Sequence, residues 1–92
     1  MTESAAAWTP RQVVLAEHYE ESGIAPDLTA LAASVPEGAI LAAVAIPDDD
    51  VVLLVVAADQ LGRVTEAAAL AGIPFDRTIP AVMMAPATRP TC

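Results

Sequence analysis

Glu17, His18 and Tyr19 place a carboxylate, the chain's one imidazole and its one phenol in three consecutive positions. On a strand the period of two would separate them. Glu17 and Tyr19 would share a face with Val13 and Leu15, and His18 would turn to the other with Val14 and Ala16. A carboxylate and a phenol that converge in an apolar cavity suit proton transfer, because burial raises a carboxylate's pKa and makes it a usable acid or base. Glu17, His18 and Tyr19 are therefore the candidate catalytic groups, with Glu17 and Tyr19 also candidate ligand contacts. A neutral imidazole at His18 suits nickel or zinc, and a two-fold dimer would bring two copies together. The alternative for His18 is a hydrogen-bonded or solvated residue near a strand end. Arg77, next to Asp76, either binds an anion or bridges to a neighbour. Met83 is either an adaptable ligand lining or ordinary core.

Other chemistries lack their signatures. The chain contains no glycine-rich phosphate loop, zinc-spaced cysteine set, Ser–His–Asp order or nucleophile elbow, which argues against nucleotide hydrolysis and serine or cysteine hydrolases. Net charge is −8, which disfavours nucleic acid and anionic membranes as partners. The acidity either keeps an apolar chain in solution or attracts cations. Asp48-Asp49-Asp50 likewise reads as a turn, where aspartates bond to nearby backbone, or as a cation site. No run approaches the roughly 18–20 apolar residues that span a bilayer. The first residues are acidic rather than basic, and the single Cys92 cannot form an internal disulfide, so the expected location is cytoplasmic.

The element that must position the candidate residues is Val51-Val52-Leu53-Leu54-Val55-Val56. A strand with one wet face alternates apolar and polar residues; this one does not, so both of its faces need cover. Hydrophobic content is 55% with only 3% aromatic residues. The surplus is largely alanine and small aliphatics, so a lone subunit would have a thin core that a second copy would repair.

Around that ribbon, Val13 to Tyr19 reads as a strand. A short helix follows, with Pro26 at its first position, Asp27 at its positive end, an apolar stripe Leu28, Leu31, Ala32 and Val35, and Pro36 as its stop. Ala39 to Ile46 is a second strand, with Ile40, Ala42, Val44 and Ile46 on one face, and it should form an antiparallel hairpin with the ribbon. Asp59 is a natural N-cap for a second helix, Gly62 suggests close packing on the sheet, and Gly72 offers a left-handed C-terminal position before Pro74. The last strand, about Thr78 to Met84, contains Pro80 and therefore belongs on an edge or at a bulge. The order βαββαβ indicates an α+β, ferredoxin-like domain over 12–85, flanked by an arm (1–11) bearing Trp8 and a tail (86–92).

A strand ending in Glu17-His18, an acidic turn after Ile46-Pro47, and above all Ala71-Gly72-Ile73-Pro74-Phe75-Asp76-Arg77 resemble one bacterial family. It comprises small ferredoxin-like domains of unknown function and includes a nickel-binding protein. The resemblance runs from about Val13 to Met84. It implies a dimeric α/β barrel with two sheets packed face to face, and nickel or another divalent metal as a possible cofactor. This chain has a shorter first helix and a single histidine.

The expected function is small-ligand binding by a homodimer, less readily divalent-metal binding at His18, with Glu17, Tyr19, Arg77 and Met83 around the ligand. A cofactor-independent isomerase, cyclase or oxygenase acting through Glu17, His18 or Tyr19 is one alternative. A protein-interaction or accessory module is the other.

Overall fold

The computed structural model describes residues 8–20 and 26–86. Its order is β1 (Trp8–Tyr19), α1 (Thr29–Ala33), β2 (Ile40–Ile46), β3 (Val51–Ala57), α2 (Leu61–Leu70) and β4 (Arg77–Pro86). The four strands form one open antiparallel sheet in the order β2-β3-β1-β4, and the protein is α+β.

Both helices lie on one face of that sheet. Leu31 of α1 and Val64 and Ala68 of α2 meet Ala16, Val52, Leu54 and Val56 in a single buried cluster. Half of the β3 ribbon is thus covered by the chain itself. The other half, Val51, Leu53 and Val55, points the opposite way with Val13, Leu15, Glu17 and Tyr19. Strand register gives that second face its rows. Ile46, Val51 and Tyr19 form the first row, and Val44, Leu53, Glu17 and Arg77 the second. Ala42, Val55, Leu15 and Ile79 make the third, followed by Ala57, Val13 and Ala81. Beyond β3 only β1 and β4 continue, as a two-stranded ribbon in which Arg11 opposes Met83 and Trp8 opposes Pro86.

Among the described residues no helix packs on this second face. Val13 and Val51 are buried there, Leu15, Leu53 and Val55 are partly covered, and Val44 is 50% exposed.

Several local expectations are revised. The first strand starts at Trp8 rather than Val13, so Trp8 to Arg11 are paired with β4. The first helix starts at Thr29. Pro26 and Asp27 precede it, and the Asp27 carboxylate accepts the Thr29 N–H at 2.9 Å. Hydrogen bonds from the Thr29 side chain and backbone hold the Asp27 carboxyl below the usual carboxylate range. This small contribution is present above the ordinary aspartate pKa and is lost as pH falls through the lowered value.

In β2 a register shift between Ile40 and Ala42 turns Ile40 to the helix side, opposite Val56, so it does not share a face with Val44 and Ile46. Asp59 does not cap α2. It sits in a 3₁₀ turn, and Gln60 takes the cap position without a side-chain bond. Gly62 faces open space rather than the sheet. Gly72 does adopt φ +80° just after α2, and Pro80 does lie on an edge strand. The aspartates form a tight turn, with Asp50 left-handed at φ 51°. Cys92 and the proposed tail after Pro86 lie outside the described residues.

Candidate functional site

The end of β1 is tied to the segment before β4 by a reciprocal clamp. The Asp76 N–H donates to the Glu17 carbonyl at 2.7 Å, and the Tyr19 N–H donates to Asp76 Oδ2 at 2.7 Å. The motif-like run from Ala71 to Arg77 serves here. Gly72 reverses the chain, Ile73 is buried, Phe75 packs against the core, and Asp76 acts through its carboxylate as a local backbone cap.

His18 completes the attachment from the helix side. Among the described residues it is the one buried polar side chain, 7% exposed. Its Nδ1 lies 2.8 Å from the Pro74 carbonyl oxygen and its Nε2 lies 3.1 Å from Glu20 Oε1. A carbonyl oxygen can only accept, so Nδ1 is the donor in the first contact. Asp76 Oδ2 is 3.8 Å from Nδ1.

Both ring nitrogens are thus engaged within the subunit. Among the described residues no group of three or more His, Cys, Asp or Glu side chains is placed to hold a metal ion. This donor set does not fit the nickel that the resemblance implies. Glu20 was not singled out in the sequence. Its signal was there, since i and i+2 along an extended segment face the same side as His18.

Glu17 and Tyr19 come together on the open face. The Tyr19 hydroxyl donates to Glu17 Oε1 at 3.1 Å, and Arg77 stands opposite Glu17 across the strand pair. The hydrogen bond to Glu17 and that residue's negative charge raise the Tyr19 pKa, while Arg77 partly offsets them. The neutral phenol is therefore the favoured form. Its hydrogen bond is present below the ordinary tyrosine pKa and is lost as pH rises through the elevated value.

Tyr19 is the only tyrosine, so its titration can be read without assignment. Phenolate absorbance should rise with a midpoint above the ordinary tyrosine range. Glu17→Gln should move that midpoint back toward it, and an unmoved midpoint would contradict this pairing.

The candidate residues do not all converge within one subunit. His18 occupies the opposite face from Glu17 and Tyr19. Met83 shares their face but pairs with Arg11, six residues along β1 from Glu17 and so roughly 20 Å away. A separate cleft of about 620 Å³ opens between α1 and α2, lined by residues including Ala33, Val35, Ala67 and Leu70, with Arg63 and Glu66 at its polar side. It contains none of the candidate catalytic residues, and its alanine-rich walls offer little to orient a ligand.

Among the described residues no helix is long and apolar enough to cross a membrane. Compared with known proteins, the chain matches no family model and no curated relative.

Proposed function

We propose that this chain is a ferredoxin-like domain that pairs with a second copy of itself, open face to open face, and holds a small, largely apolar ligand in the chamber between them. The observation that carries this reading is the second sheet face, a set of aliphatic rows that ends in the hydrogen-bonded Glu17–Tyr19 pair and Arg77. The strand order β2-β3-β1-β4 and the βαββαβ sequence of elements support the ferredoxin-like assignment.

Area supports the pairing. Four strands at about 4.8 Å spacing and seven residues at about 3.4 Å, with the terminal ribbon added, present roughly 600 Å² in projection. With side-chain relief, that reaches the ~800 Å² per partner of ordinary stable interfaces. Sheets packed face to face stand about 10 Å apart, and small residues such as Ala42 and Ala81 leave room between them.

Such a chamber favours a ligand with an apolar body and one anionic or hydrogen-bonding group, which Arg77 and the Tyr19 phenol would orient. Anilinonaphthalene sulfonate is a suitable probe. The wild-type protein should bind it saturably, and Arg77→Ala should raise its Kd by about tenfold, the size of one charge-assisted hydrogen bond. Non-saturating binding, or a Kd indifferent to both Arg77→Ala and Tyr19→Phe, would rule this reading out.

The Glu17–Tyr19 bond also favours a second reading, cofactor-independent proton transfer on an apolar small molecule. In it Tyr19 is the acid and Glu17 the base that the phenol holds in place.

A further inference from the structure

We infer that the Glu17–Tyr19–Arg77 site is completed by the second copy, which supplies its Arg11 and Met83. This rests on the face-to-face pairing proposed above and adds to it a register and a set of shared residues.

The charges on the open face are few and segregated. Glu17 and Arg77 lie in one row, near the end of the face marked by Tyr19, with Asp76 beside them. Arg11 lies six residues further along β1, roughly 20 Å from Glu17, on the same face. Among the described residues Arg11 forms no ion pair. Glu17, Asp76 and Arg77 together leave one negative charge, and Arg11 is the cation that would balance it.

An isologous interface between two identical sheet faces requires a two-fold axis lying in the plane between them. An axis parallel to the strands superposes like ends, bringing the two net-negative Glu17–Asp76–Arg77 ends together and the two Arg11 ends together. Like charges brought together under a partner cost several kcal/mol. An axis across the strands superposes unlike ends instead, and sets Glu17 against Arg11 of the partner subunit.

The midpoint between Arg11 and Glu17 is Val14, and the middle of β1 (Trp8–Tyr19) falls between Val13 and Val14. The register that pairs the charges is therefore also the register that overlaps β1 along its whole length. The same operation carries the partner's Met83 over Arg77, because Met83 pairs with Arg11 and Arg77 with Glu17. Residues that stand roughly 20 Å apart in one subunit are brought to a single site across two.

The test is a charge exchange followed by equilibrium sedimentation, with circular dichroism to confirm that each variant is folded. Arg11→Glu and Glu17→Arg should each raise the dimer Kd by roughly tenfold or more, and the double exchange should return it to within about threefold of wild type. Single exchanges without effect, or a double exchange no better than the singles, would overturn the register while leaving the pairing of chains in place. A wild-type protein that sediments as one chain would overturn both.

A second measurement avoids energetics. In a Cys92→Ser background, a short bismaleimide should cross-link the Arg11→Cys/Glu17→Cys protein into covalent dimers and neither single-cysteine protein. Cross-linking of either single-cysteine protein would show that like ends meet.

Discussion

Leu54→Ala should destabilise each subunit by about 2–5 kcal/mol, at any protein concentration. Leu54 is fully buried on the helix side of β3, an inner strand, where it belongs to the cluster that includes Leu31, Val64 and Ala68. Two short helices and an alanine-rich strand give the surroundings little means of collapsing into the space left behind. A domain of this size has only about 5–15 kcal/mol of net stability. A loss of about 3 kcal/mol would lower Tm by roughly 12–24 °C. Thermal denaturation followed by circular dichroism checks this. A shift of only a few degrees would mean that the helices do not seal this face.

Val55→Asp, one residue further on, should do the opposite. The side chain points to the open face, in a row with Ala42, Leu15 and Ile79 that contains no charge. In a single subunit the new carboxylate reaches water, and the cost is the loss of strand preference, about 1 kcal/mol or less. In the proposed pair, each subunit would bury an unpaired charge, at about 3–5 kcal/mol apiece. The dimer Kd should rise by at least a thousandfold while the circular dichroism spectrum stays that of the wild type. Should Val55→Asp instead unfold the subunit as Leu54→Ala does, the open face would be an interior of the chain itself.

That β3 has no polar side to turn to water was legible in the sequence, because six consecutive apolar residues occupy both faces of a period-two strand. The element order, the faces of Val14, Ala16 and His18, the edge position of Pro80 and the reversal at Gly72 follow from local rules of that kind. The pairing of Glu17 with Tyr19 did too, since it needs only the period of a strand.

What was not legible depends on partners distant in sequence. Trp8 to Arg11 carry no periodic apolar signal and become strand only because β4 continues beside them. One inserted residue in β2 reverses Ile40, and no composition rule marks where such a bulge falls. His18 is held by a proline carbonyl 56 positions away, a contact that no spacing in the sequence reveals. Arg11 drew no attention as a lone arginine in what reads as a loose arm; its placement on the Glu17 face appears only with the register.

The central claim is that the sheet face on which no described helix packs belongs against another copy of itself. Sedimentation velocity of the wild-type protein across micromolar concentrations tests it most directly. A species of twice the 9.4 kDa chain mass, dissociating only on dilution, is the expected result. A single 9.4 kDa species throughout that range would contradict it.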